Sequence, residues 1–117
     1  MKEADVRKRA YDFALRIVRM CRALHEDRIG RILLSQLLRA GTAIGANIEE
    51  AQAGQSKKDF THKMGIARKE AFETRYWLRL LKDSKVLPES RMADIIEESD
   101  EICKMLSAIV LSAKQQP

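Results

Sequence analysis

The apolar residues of this chain recur at steps of three and four in four separate blocks, and polar or turn-forming residues break the rhythm between them. Val6, Ala10, Phe13, Ile17, Met20 and Leu24 fall along one side of a first helix, which the pattern ends near Leu24. The polar run His25-Glu26-Asp27-Arg28 follows. Leu33, Leu37, Ala40, Ile44, Ile48 and Ala51 make a second stripe, and Gly54 reads as its C-cap. Ser56 with Asp59 three places later is the carboxylate variant of a capping box, so a third helix is predicted to start there. Its seam, Phe60, Met64, Ala67, Ala71, Thr74, Leu78 and Leu81, alternates steps of four and three as a heptad does, and it ends around Asp83. Pro88 suits the first turn of a fourth helix, where no N–H is needed; the stripe there is Met92, Ile95, Ser99, Ile102, Leu106, Ile109 and Ala113. Links this short force neighbouring helices to run antiparallel. The expected fold is therefore all-α, an antiparallel up-down-up-down four-helix bundle forming one domain over residues 1–117.

Some apolar surface is left over once that core is assigned. Between Ala71 and Leu81 the third helix is apolar nearly all round, with Phe72, Tyr76 and Leu80 pointing away from the seam. A second apolar face of this kind predicts contact with another protein surface, most simply a further copy of the chain. Leu34, Leu38, Gly41 and Gly45 on the second helix share an arc of about 60° and offer a counterpart. The competing reading of the two glycines is that they relieve crowding inside one bundle, at about 1 kcal/mol each in helix propensity.

Composition supports a folded helical protein: 45% hydrophobic, 33% charged, and only 5 Gly and 2 Pro in 117 residues. The net charge of +5 is unevenly placed, with +3 in residues 1–28, zero in 29–54, +4 in 55–83 and −2 in 84–117. Lys57, Arg68, Arg75, Arg79 and Lys82 concentrate the third segment's charge in an arc of about 60–80°. Lys8, Arg19 and Arg22 line one side of the first helix, diluted by Asp12 and Glu26. Such stripes can hold nucleic-acid phosphates, or they can be solvated faces with internal ion pairs. No helix-turn-helix, zinc finger or stacking platform supports reading of bases.

Catalytic and metal chemistry find little support. Asp59-x-x-His62 is the nearest approach to the paired Glu-x-x-His units of di-metal bundles, and one such pair lacks ligands. His25 has no companion. Cys21 and Cys103 fall on or beside apolar stripes and read as core thiols of a reducing compartment. Glu49 and Glu50 are adjacent on a helix and diverge by about 100°, which argues against an acid–base dyad. Neither an enzyme nor a cofactor is expected. No export signal precedes the charged start, and no uncharged run reaches the roughly 18–20 residues that cross a bilayer, so the expectation is a soluble, cytoplasmic protein away from membranes. Gln36, Arg39, Asn47 and Glu50 flank the core stripe of the second helix within about 80°. They read as a half-buried structural set, in which Arg39 reaches Glu70 or Glu73 as a bidentate pair that fixes register.

Ser35-Gln36-Leu37-Leu38-Arg39-Ala40, Asn47-Ile48-Glu49-Glu50-Ala51 and Ser56-Lys57-Lys58-Asp59-Phe60 together resemble the signature of a bacterial four-helix-bundle family. It is the family of the 23S rRNA-intervening-sequence proteins. Ala67, Glu70-Ala71, Glu73-Thr74 and the run Ile102 to Leu106 extend the resemblance over nearly the whole chain. Ala43-Ile44-Gly45 departs from it, since relatives often carry Ser-Ile-Pro before the Asn; a proline kink is not carried over. The resemblance implies a homo-oligomer, with a pentamer as the expected form because related bundles assemble as five-fold barrels. Accessory proteins of diversity-generating retroelements share that barrel and present basic surfaces to nucleic acid, a likeness of fold alone. The expected function is thus a non-enzymatic homo-oligomeric bundle that binds RNA or DNA electrostatically. Its candidate phosphate contacts are Lys57, Arg68, Arg75, Arg79, Lys82, Arg19 and Arg22, and its candidate interface is Phe72, Tyr76, Leu80, Leu34 and Leu38. The alternative is an adaptor or scaffold that engages another protein through the Phe72 face.

Overall fold

A computed structural model describes residues 3–23 and 27–115. Four helices account for the described chain: α1 (Glu3–Arg22), α2 (Arg28–Gln52), α3 (Lys57–Asp83) and α4 (Ala93–Gln115), with a single 3₁₀ turn (Glu89–Arg91) before α4. Each helix packs on its two neighbours in a square, α1 and α3 facing each other across one diagonal. Cross-helix contacts give the directions. Arg39 meets Glu70 and Glu73 while Glu50 meets Lys63, so α2 ascends as α3 descends. Arg68 meets Ser107 and Arg75 meets Asp100, which sets α4 antiparallel to α3. Arg7 meets Glu49 and Cys21 meets the Leu34 carbonyl, so α1 and α2 are antiparallel as well. The result is a rod of 49 × 21 × 19 Å.

The predicted stripes supply the core, except at their ends, where Met20, Phe60 and Ala113 are half-buried. Val6, Ala10, Phe13, Ile17, Leu37, Ala40, Ile44, Ile48, Met64, Ala67, Ala71, Leu78, Leu81, Met92, Ile102 and Leu106 are all at most 1% exposed. Thr74 and Ser99, the polar members, are equally buried, and their hydroxyls donate to the Glu70 and Ile96 carbonyls, so neither leaves an unpaired group. Three details differ from the sequence expectation. Leu34 rather than Leu33 is the deeper residue, with Leu33 only partly buried against the core. The fourth stripe is wider than one seam: Cys103, Met105 and Val110 are also buried, since α4 packs on α1 and α3 at once. Leu87 closes the α3–α4 end of the core at 2% exposure, held by N–H donation from Val86 and Leu87 to the Leu81 carbonyl around Lys85, whose φ of 63° is left-handed.

Helix ends follow local chemistry. Ser56 Oγ accepts from the Asp59 N–H at 3.1 Å, as its spacing predicts. Asp27 caps α2 in the same way, its carboxylate accepting from the Gly30 N–H at 2.8 Å. The C-cap of α2 is Ala53, and Gly54 lies one place beyond without a positive φ, because the Gly54 N–H reaches the Ala51 carbonyl at 3.2 Å from an ordinary conformation. Pro88 is the residue before the 3₁₀ turn, at φ −63° and ψ 136°, so the fourth α-helix starts five residues later than a Pro in its first turn would set it. Leu24 and His25 lie outside the described residues.

Candidate nucleic-acid interface

Position along α3 decides what each basic side chain can do. The stripe predicted from Lys57 to Lys82 flanks the core on the side facing α4. Arg68 and Arg75 are seven residues apart, two turns, and their guanidiniums lie against the same ring, 4.9 and 4.7 Å from the centroid of Phe72. Phe72 is half-buried and packs on the core beneath them. Arg68 donates to the Ser107 hydroxyl at 2.8 Å, a neutral partner that leaves its charge uncompensated. Arg75 reaches Asp100 at 3.5 Å, with both side chains more than a third exposed, a pair that adds at most about 1 kcal/mol. Phe72, Arg75, Asp100, Cys103, Lys104 and Ser107 line a groove of about 450 Å³ between α3 and α4. Burial pushes the Cys103 thiol up, so it stays protonated at the groove floor, although Arg75 and Arg68 pull the other way.

The other predicted contacts are spread out. Arg79 is exposed and makes no ion pair with a described residue. Lys82 is 3.7 Å from Asp83 on its own helix. Lys57 stands at the opposite end of α3, about three turns from Arg68. Arg19 and Arg22 are on α1, diagonally across the bundle, so the two basic stripes do not meet within one chain. Arg19 instead shares a groove with Arg16 and Arg91.

The apolar candidates divide likewise. Tyr76 is 58% exposed on the outer side of α3, edge-on to Trp77 at 5.2 Å, while Leu80 is half-buried. Leu38 is 37% exposed, but Leu34 at 6% belongs to the core and has little surface to offer a second copy. Gly41 and Gly45 face α1: a Cβ on Gly41 would stand 3.1 Å from Ile17 Cγ1, and one on Gly45 3.7 Å from the Ala10 carbonyl oxygen. The small-residue arc of α2 is therefore used inside the chain, to bring α1 close.

The polar set of α2 forms a network. Arg39 Nη1 donates to Glu70 at 3.3 Å, Nη2 donates to Glu73, and Nε donates to Gln36 at 3.2 Å. The expected bidentate pair is thus a fork between two carboxylates. Trp77 Nε1 donates to the same Glu73 oxygen at 3.2 Å, a contact absent from the sequence expectation, for which the i, i+4 spacing was the available sign. Asn47 caps the Ala43 carbonyl from its own helix at 2.8 Å, and Glu50 accepts from Lys63 at 2.7 Å. Glu49 points the other way, to Arg7, as the divergence of adjacent helical residues requires. Among the described residues no group of three His, Cys, Asp or Glu side chains is placed to hold a metal, and no helix is long and apolar enough to cross a membrane.

The family model for the 23S rRNA-intervening sequence protein matches residues 2–108. Among solved structures, the chain is similar to a protein of unknown function from the S23 ribosomal protein family of Bacteroides thetaiotaomicron. The two are 40% identical, with a TM-score of 0.85 over 94% of this chain and 98% of that one. None of the curated proteins matches.

Proposed function

The chain belongs to the family of 23S rRNA-intervening sequence proteins, and from that premise we propose that it is a non-enzymatic, homo-oligomeric bundle that holds RNA through its phosphates. The observation that carries the reading is the pair Arg68 and Arg75 on the Phe72 ring, two cations balanced by one weakly held carboxylate. Neither guanidinium needs to move far to fork onto a phosphate, because Phe72 holds both stems in place. With its ring already covered by arginines, Phe72 is no platform for a base, which fits binding by charge and not by sequence. Arg79 and Lys82 continue the track toward the end of α3. Copies of the chain dock through the outer side of α3 around Tyr76 and Leu80, and the family resemblance makes a pentamer the expected form. Repetition of the α3 face around such a ring multiplies phosphate contacts without a stronger single site.

Retention of generic single-stranded RNA as salt is raised is the direct test. Binding should fall linearly on a log–log plot, by about 0.7 per phosphate neutralised. Absence of retention at low salt, or retention indifferent to salt, refutes the reading. Light scattering tests the assembly: Tyr76→Glu should lower the mass toward monomer at unchanged helicity, and an unchanged mass removes this interface; Phe72, packed on the core beneath two arginines, is not part of it. A second reading, an adaptor for another protein, rests on the exposed Tyr76; it predicts no salt-dependent RNA retention.

A further inference from the structure

We propose that the groove between the C-terminal half of α1 and the N-terminal end of α4 is a phosphate-binding site built from Arg16, Arg19 and Arg91. These three arginines line a space of about 300 Å³ over Met20 and Ile95. Its lining contains no carboxylate among the described residues, although Glu89 and Asp94 stand in the neighbouring turns, both exposed. None of the three guanidiniums forms an ion pair with a described residue.

That arrangement breaks the rule the rest of the molecule follows. Each other seam is stitched by an arginine on a carboxylate: Arg7 on Glu49 between α1 and α2, Arg39 on Glu70 and Glu73 between α2 and α3, and Arg75 on Asp100 between α3 and α4. The same α1–α4 seam has such a pair two turns away, Arg9 on Glu98 at 2.6 Å. At its lower end the seam gathers three like charges instead, which repel one another and gain nothing unless an anion enters. All three are arginines, whose planar fork matches a phosphate on two oxygens at once. The positive end of the α4 dipole lies beside Ile95 and acts in the same sense. Met20 and the 3%-exposed Ile95 give the floor no polar atom that would select a base or sugar. The chemistry recognised is a bare phosphate or diphosphate group, carried by a small anion or by the 5′ end of a strand. The site is separate from the α3 face, which lies across the diagonal.

The test is calorimetric titration of the whole protein with inorganic pyrophosphate at low salt, alongside two RNA oligomers of one sequence, one 5′-phosphorylated and one ending in a 5′-hydroxyl. Pyrophosphate should bind, and Arg16→Gln with Arg19→Gln and Arg91→Gln should weaken it by about tenfold or more. The variant Arg68→Glu with Arg75→Glu and Arg79→Glu removes the phosphate contacts proposed on α3; pyrophosphate binding that persists in it, and is lost when the three glutamine changes are added, belongs to this groove, so failure here and failure of the α3 reading are told apart. Preference for the 5′-phosphorylated oligomer, lost in the glutamine variant, assigns the site to strand ends; pyrophosphate binding with equal affinity for the two oligomers assigns it to a small anion. No pyrophosphate binding by the wild type, or equal binding by the glutamine variant, overturns the proposal. Should the glutamine variant melt differently, Arg91→Lys alone keeps the charge, and binding should still fall because the fork is gone.

Discussion

The two sides of α3 handle positive charge in opposite ways. Toward α2, one guanidinium, Arg39, is shared by two carboxylates, Glu70 and Glu73, with Gln36 and Trp77 occupying further donors and acceptors. Toward α4, two guanidiniums share one ring, and of the two Arg75 reaches a carboxylate while Arg68 has the neutral Ser107 hydroxyl. The α2 side is closed electrostatically: its partners satisfy one another, and what remains for them to do is hold two helices in register. On the α4 side there is more cation than anion, so its field reaches into solvent and an incoming anion finds donors not fully used. A single helix thus carries a structural seam and a candidate binding face, separated by roughly half its circumference.

The largest expected effect breaks the open side. Arg68→Glu, Arg75→Glu and Arg79→Glu together should reduce RNA affinity at low salt by at least about a hundredfold and flatten the log–log salt slope by about two. Filter retention across a salt series reads both quantities. Arg39→Met should leave that retention unchanged but cost about 1–2 kcal/mol of stability. Its removal strands Glu70, 20% exposed, beside Glu73 one turn on, and leaves Glu73 the indole N–H of Trp77 on its own helix, which does not link α3 to α2. A denaturant midpoint equal to that of the wild type would mean the seam is decoration, and the contrast between the two sides would lose one half. Phe72→Leu is a finer probe: it keeps an apolar support and deletes the ring, so the loss should be near 1 kcal/mol, the worth of two exposed cation–π contacts. RNA affinity should drop only a few-fold, because both charges stay.

Much of this contrast was legible in the spacing of residues, and the part that was not has a physical cause. Steps of three and four place the core of each helix without reference to any other helix, which is why all seven seam positions of α3 fall where the pattern puts them, Phe60 half-buried at the end and the other six buried. Arg39 with Glu70 and Glu73 was visible too, because antiparallel neighbours joined by a short link have a predictable register. What the sequence left open was the direction of a second face. Leu34, Gly41 and Gly45 share an arc whether they meet another copy or α1, and the Gly41–Ile17 approach that decides it exists only once the helices are packed. The groove of Arg16, Arg19 and Arg91 is of the same kind, since Arg91 is more than seventy residues from Arg19 and outside any helical stripe. Lys85 shows a third limit: a left-handed residue after a helix is normally announced by Gly or Asn, and here neither is present.

The smallest expected effect sharpens what burial contributes. Arg7 and Glu49 also link two helices through a guanidinium, α1 and α2, but here both hydrogen bonds, at 2.7 and 2.6 Å, go to one carboxylate and both side chains are about half exposed, 51% and 52%. Hydrogen bonds from Arg7 hold the Glu49 carboxyl below its usual range, with the charge of Arg7 acting in the same direction and partial burial opposing. A carboxyl depressed in the folded state binds fewer protons than it does unfolded, so its contribution is complete above the ordinary value of 4.5 and disappears as pH falls through the depressed one. Wild type and Glu49→Gln should therefore differ slightly in denaturant midpoint at neutral pH, by less than Phe72→Leu does, and converge once the medium is acidic enough to protonate Glu49. High salt at neutral pH should bring about the same convergence, because exposed pairs are screened. A difference that survived both acid and salt would place the role of Glu49 in packing; the Arg39 fork would then have no special claim as the charge-set seam of the bundle.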